Sequence, residues 1–108
     1  MNLIDKYLGE ATNMQVANTI RKQLGNKAIA MMGAKNLVGG DKYLSFRIGR
    51  NSKGVNYIKI TLTSMDLYDI EFGNIRGMNY KVKYEAKGIY ADMMHDVIEQ
   101  NTGMYLSL

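Results

Sequence analysis

Four side chains near the end of the chain stand at a spacing that could do chemistry. Asp92, His95, Asp96 and Glu99 lie at i, i+3, i+4 and i+7, so a helix would align them on one face. Such a set could hold a divalent cation, or a carboxylate could orient the imidazole for proton transfer. The same residues also read as the water-facing stripe opposite Met93 and Val97, the ordinary place of a lone histidine on an amphipathic helix. The solvated stripe is the expectation, with a metal or acid–base site around His95 as the alternative. Other catalytic signatures are missing. None of the four serines sits in a G-x-S-x-G elbow, and the chain holds neither G-x-x-x-x-G-K-[ST] nor a G-x-G-x-x-G that opens a helix. Zero cysteines exclude a thiolate nucleophile, a disulfide scaffold, the usual zinc finger and a cysteine-ligated iron–sulfur cluster. With a single histidine, a two-histidine site would have to span two chains. No cofactor, metal or catalytic residue is expected, and the chain reads as a non-enzyme.

What remains is chemistry of binding, carried by cations and tyrosines. Net charge is +4 and the pI is near 9.3, a bias toward anionic partners. Residues 1–40 carry five basic and two acidic side chains, residues 41–87 nine and five, and residues 88–108 none and three. The chain is thus a basic body with an acidic end. In its middle, Tyr43, Arg47, Tyr57, Lys59, Lys81 and Lys83 alternate with apolar residues, and Arg50 and Lys53 occupy a turn-like run between two such stretches. Cations interleaved with tyrosines on an open sheet suit single-stranded nucleic acid, with bases on the rings and phosphates on the cations. The competing expectation is an ordinary ladder in which Asp69 and Glu71 pair with Lys59 and with Lys81 or Lys83 and neutralise the middle of the face. Arg76 falls in Gly73-Asn74-Ile75-Arg76-Gly77, read as a loop, where its guanidinium could grip a phosphate or a carboxylate or cap an element end.

The elements that must position these side chains follow from hydrophobic period. Thr12-Asn13-Met14-Gln15 reads as a capping box, after which Val16, Ala17, Ile20 and Leu24 share one helical face until Gly25-Asn26. Ala28–Met32 suggests a second short helix closing at Gly33. After the turn Gly39-Gly40-Asp41 the period becomes two, with strands expected over 43–48, 57–62, 68–72 and 80–84. Leu44, Phe46, Ile48, Ile58, Ile60, Leu62, Ile70, Phe72 and Val82 would face the core, leaving Tyr43, Ser45, Arg47, Tyr57, Lys59, Thr61, Asp69, Glu71, Lys81 and Lys83 outward. Short connections favour an antiparallel meander. Ile89, Met93 and Val97, with Tyr90, Met94 and Ile98, then form an apolar helical stripe over 89–101, stopped by Thr102-Gly103. The fold class is α+β: one or two N-terminal helices, a four-stranded antiparallel meander and a C-terminal amphipathic helix, in one domain over 1–108.

Length agrees. With 108 residues and 46% hydrophobic content, one core can be buried without a metal or disulfide. No run approaches a membrane span and the start does not read as a signal peptide, so no membrane partner is expected and the location is cytoplasmic. Nine methionines are many for this length. Met14, Met31, Met32, Met93 and Met94 read as core filling, and Met65, Met78 and Met104 as loop or surface residues suited to adaptable contacts. The tail Met104-Tyr105-Leu106-Ser107-Leu108 is apolar and should dock on its own core. Free sheet edges leave room for a homodimer.

Gly33-Ala34-Lys35-Asn36-Leu37, Asn56-Tyr57-Ile58-Lys59-Ile60, Asp66-Leu67-Tyr68-Asp69, Ile75-Arg76-Gly77, Gly88-Ile89-Tyr90-Ala91-Asp92 and Thr102-Gly103-Met104-Tyr105 follow one another along the chain. In that order they resemble a widespread group of small accessory proteins of tailed phages, prophages and other bacterial mobile elements. The similarity runs from about Ala17 to Leu108, with residues 1–16 as a variable lead-in. The resemblance implies a setting, the cytoplasm of a bacterial host, and carries over no activity or catalytic residue. In that setting the first expectation is a protein that binds a bacterial or phage macromolecule, such as an anti-CRISPR-like inhibitor of a host defence nuclease, through Tyr43, Arg47, Tyr57, Lys59, Arg50 and Arg76. A variant has the acidic helix, with Asp92, Asp96 and Glu99, mimic phosphates toward a nucleic-acid-binding enzyme. The alternative is a single-stranded nucleic-acid-binding protein of phage replication or recombination using the same face with Lys53, Lys81 and Lys83. A further alternative is a sponge for a small anionic signalling molecule.

Overall fold

The computed structural model describes residues 14–106, and within them the changes of period mark the changes of element. Helix α1 (Gln15–Leu24) buries Ala17, Ile20 and Leu24 and places Arg21 and Lys22 in its last turn, where cations complement the helix dipole. Its N-cap is Met14, with no side-chain cap; Thr12 and Asn13 of the expected capping box lie outside the described residues. Gly25 joins it directly to α2 (Asn26–Met32), which buries Ala28 and Met32 and closes at Gly33.

The sheet has five strands, not four, in the order β1 (Lys35–Gly39), β2 (Tyr43–Arg47), β3 (Tyr57–Leu62), β4 (Tyr68–Arg76) and β5 (Asn79–Ile89). Every neighbouring pair is antiparallel, so the meander expectation holds with one strand added. Strand β1 escapes the sequence because it lies at an exposed edge. Asn36 takes a positive φ of 57°, and the register slips between Lys35 and Val38, which erases the alternation that would reveal it.

Strands β4 and β5 are longer than expected. Residues 73–76, read as a loop, continue β4 to a tight turn at Gly77-Met78. Gly73 and Asn74 supply no apolar alternation, and the backbone there pairs with β5 instead. Two bulges shape β5. Phe72 pairs with Tyr84 and Gly73 with Val82, which leaves Lys83 as an extra residue, and a second shift lies between Tyr68 and Ile70. The first bulge turns Val82 away from the core expected of it, and it is 41% exposed; the same shift sets Lys81, expected on the outer face, opposite Asn74 on the other face of the sheet. Ser45, placed by pleat on the outer face, is nonetheless buried; its short side chain is flanked across the ladder by Val38 and Lys59.

Ile89 ends β5 rather than starting a helix. A 3-10 turn (Ala91–Met93) intervenes before α3 (Met94–Thr102), which buries Met94, Val97, Ile98 and Thr102. Tyr90 and Met93, assigned from the sequence to the apolar stripe, are exposed, because the strand and turn interrupt the helical period. The buried side chains form a single cluster centred on Phe46, Ile58, Ile60, Ile70 and Phe72 of the sheet and Ile20, Leu24, Met32, Met94 and Ile98 of the helices. Leu106 of the tail joins it, while Tyr105 is exposed.

Candidate nucleic-acid interface

An antiparallel meander brings alternate strand termini to the same end of its sheet. Here the start of β1, the end of β2, the start of β3, the end of β4 and the start of β5 meet there. One row runs across all five strands as Lys35, Arg47, Tyr57, Gly73 and Val82, each paired with the next. Beyond this row lie the β2–β3 connection, with Arg50, and the end of β4, with Arg76 paired to Asn79. Cations far apart in sequence thereby become neighbours.

Three asparagines hold this end in shape. Asn51 accepts from Lys53 N and Val55 N through Oδ1 and donates through Nδ2 to Gly49 O and Val55 O, folding residues 49–55 around one side chain. The connection is anchored where Gly49 N donates to Met32 O (2.9 Å) and Ile48 N to Asn56 O (3.1 Å). Asn56 extends the ladder by side chain: Nδ2 donates to Ile75 O at 2.9 Å and Oδ1 accepts from Ile75 N at 2.7 Å. Asn74 Nδ2 donates to Gly54 O at 2.9 Å. These bonds satisfy backbone groups that the twisting strand ends would leave bare and tie the connection to β4 just before Arg76.

Two open hollows result. One, of about 440 Å³, is walled by Lys35, Arg47, Arg50 and Arg76. The other, of about 460 Å³, is walled by Arg76, Lys81, Lys83 and Tyr80. They share Gly54, Asn74 and Arg76, and among the described residues no acidic one lines either. Six cations around two adjoining hollows make this end of the sheet a basic patch suited to an anion.

The remaining expected residues separate from this cluster. Tyr43 and Lys59 pair with each other on the outer face, the ammonium 4.5 Å from the ring centroid, a cation–π contact. Tyr57 meets Tyr80 edge-to-face, with centroids 5.3 Å apart. Lys53 is exposed on the connection, with its stem toward Gly103 at the end of α3. Of the expected neutralising ladder only a register survives: Lys59 stands opposite Glu71, but its ammonium lies over Tyr43 and Glu71 accepts from Tyr80, while Asp69 faces Thr61 and Lys81 faces Asn74. The outer face is therefore mixed in charge toward Asp69, Glu71 and Glu85, whose hollow also takes Lys59 and Lys87.

Lys35 and Tyr80 were not among the candidates read from the sequence. The ring of Tyr80 lies over Gly73 so closely that any Cβ there would overlap it, and its hydroxyl donates to Glu71. Burial first, and then the Glu71 carboxylate that accepts this proton, push the Tyr80 phenol well above the usual tyrosine range.

The acidic helix is put to other uses. His95 Nε2 lies 2.7 Å from Leu24 O, tying α3 to the last carbonyls of α1. Glu99 accepts from Leu106 N at 2.9 Å and so seats the tail. Asp92 belongs to the 3-10 turn, and among the described residues no three His, Asp or Glu side chains gather as a metal site. No helix among them is long and apolar enough to cross a membrane. Comparison with known proteins finds no family model, no curated protein and no solved structure that matches the chain.

Proposed function

We propose that the chain is a non-enzymatic accessory protein of a phage or mobile element, working in the host cytoplasm, that binds single-stranded nucleic acid through the cationic end of its sheet. The observation that carries this is the wall of Lys35, Arg47, Arg50, Arg76, Lys81 and Lys83 around two adjoining hollows, with no acid among the described residues that line them. Arginine forks match phosphate oxygens in pairs. Beside them the Tyr57–Tyr80 pair offers a ring on which a base can stack, a sequence-tolerant contact.

The test is fluorescence anisotropy with a labelled thymidine 12-mer across a salt series. For single strands, log K falls with log salt at about 0.7 per phosphate neutralised, so a slope near zero sinks the reading. Arg47→Ala and Arg76→Ala should each weaken binding to every base composition alike.

A second reading, inhibition of a host defence nuclease by direct protein contact, is favoured by the β4–β5 hairpin. Met78 at its turn is 100% exposed and Tyr80 is 44% exposed, and methionine, tyrosine and arginine are enriched at protein interfaces. A tagged pull-down from bacterial lysate, with and without nuclease, separates the two. A discrete protein complex that survives nuclease would favour the inhibitor.

A further inference from the structure

Resting on the nucleic-acid reading and sharpening it, we infer that the cationic end is a two-phosphate site for which a dinucleotide is a sufficient ligand, and that Arg76 is the residue both phosphates share. The two hollows carry separate cation sets: Lys35, Arg47 and Arg50 on one side, Lys81 and Lys83 on the other. They meet at Arg76, whose guanidinium has five donors in a planar fork and can serve an oxygen in each hollow. Gly54 lines both hollows. This glycine has a φ of +69°, and a Cβ there would come within 3.1 Å of Lys83 Nζ; a larger residue would be strained and would press on that ammonium.

The backbone that carries the walls is held before any ligand arrives. Asn51 folds the connection, Asn74 ties Gly54 to β4, and Asn56 holds Ile75 next to Arg76. A pre-organised pair of anion seats loses less entropy on binding than a flexible basic stretch. Two seats joined at one arginine fit two phosphates linked through a sugar, whereas an extended track would need cations continuing along the sheet. They do not continue: past the Tyr57 rung the face turns to Lys59 opposite Glu71 and Glu71 opposite Glu85. The chemistry recognised is the same whether the two phosphates belong to a strand or to a free dinucleotide.

The experiment is calorimetric titration of the full chain with thymidine monophosphate, 5′-phosphorylated dithymidine, a cyclic dinucleotide and the thymidine 12-mer. The two-phosphate ligands should bind at least about tenfold more tightly than the monophosphate, the gain of one further charge-assisted contact. Lys35→Ala and Lys81→Ala, on opposite hollows, should each return the dinucleotide to the affinity of the monophosphate, with unchanged circular dichroism. Arg76→Lys, which keeps the charge but not the fork, should cost the dinucleotide more than the monophosphate. Equal affinity for one and two phosphates would overturn the inference, as would a 12-mer that binds while neither dinucleotide does. A 12-mer that fails as well would bring down the nucleic-acid reading itself. If the cyclic form binds more tightly than the linear form or the 12-mer, the source is a free small molecule. If the 12-mer binds most tightly, it is a strand; the two-phosphate footprint stands in either case.

Discussion

Replacing Asn56 by alanine is the most direct test of how the cationic end is built. Its side chain makes a false rung beyond the last β3–β4 pair, donating to Ile75 O at 2.9 Å and accepting from Ile75 N at 2.7 Å. Its own N–H donates to Gly73 O at 3.0 Å, so the alanine variant keeps the backbone contact and loses only the two side-chain bonds. Each is worth about 1 kcal/mol net. The site is half-buried, so water can reach the freed Ile75 groups and no further desolvation cost is added. The expected loss is about 2 kcal/mol, which in a domain of this size lowers Tm by about 8 °C or more. Urea unfolding followed by circular dichroism should show a lower midpoint at constant slope. Because Ile75 immediately precedes Arg76, the same change should weaken binding of the thymidine 12-mer several-fold. A double-mutant cycle with Arg76→Ala should be non-additive, since Asn56 acts through that residue. A stability change under about 0.5 kcal/mol, or fully additive binding losses, would refute the reasoning.

Gly73→Ala should evict the Tyr80 ring, because the new methyl would occupy its place; tyrosine fluorescence and a reduced urea midpoint would report this, and an unchanged protein would show that the ring is not seated there. Burial raises the phenols of both Tyr80 and Tyr68, with the Glu71 bond adding to the rise at Tyr80 and a Gln23 bond opposing it at Tyr68. An acid raised in the folded state contributes stability that is complete below the unfolded tyrosine value of about 10 and is lost as pH rises above it. Urea midpoints measured at pH 8 and about pH 11 should therefore fall less in Tyr80→Phe than in the parent protein. His95→Ala should cost about 1 kcal/mol through the lost bond to Leu24 O and leave nucleotide binding untouched; an effect on binding with no effect on stability would reopen a site on α3. Met78→Ala should leave stability within about 0.5 kcal/mol, the side chain being fully exposed, and should weaken capture only of a protein partner.

Legibility in the sequence tracked burial. The central strands, with Leu44, Phe46, Ile58, Ile60, Ile70 and Phe72, alternate because one face of each is packed against helices, and their positions and order could be read directly. So could the ends of the helices at Gly33 and Gly103. Where a strand buries little, the alternation that reveals it has no cause. The exposed β1 shows no alternation for that reason, and neither does the hairpin end of β4, where side-chain amides rather than apolar contacts hold the backbone. The bulge at Lys83 is a matter of register, which a single strand's sequence does not encode. It moved Val82 outward and put Tyr80 over Gly73 on the outer face.

The candidate site divides along the same line. Arg47, Arg50, Arg76, Lys81 and Lys83 could be named one by one as cations between apolar residues, but that they share one end of the sheet depends on strand count and strand ends. With four strands and a loop at 73–77, Arg76 would have no fixed place and Lys35 none at all. Adding β1 sets Lys35 opposite Arg47, and extending β4 to a two-residue turn sets Arg76 opposite Asn79. The other end of the same meander carries Asp41 and Lys42 in one connection and Asp66 in the other, with Asp69 and Lys87 close by, so its charges nearly cancel. The excess of positive charge in this +4 chain thus falls at the Arg47–Arg76 end of the strands. On the proposed function, a polyanion approaching that end would be oriented by this charge before contact. The asparagine-held connection would then decide which phosphates it can seat.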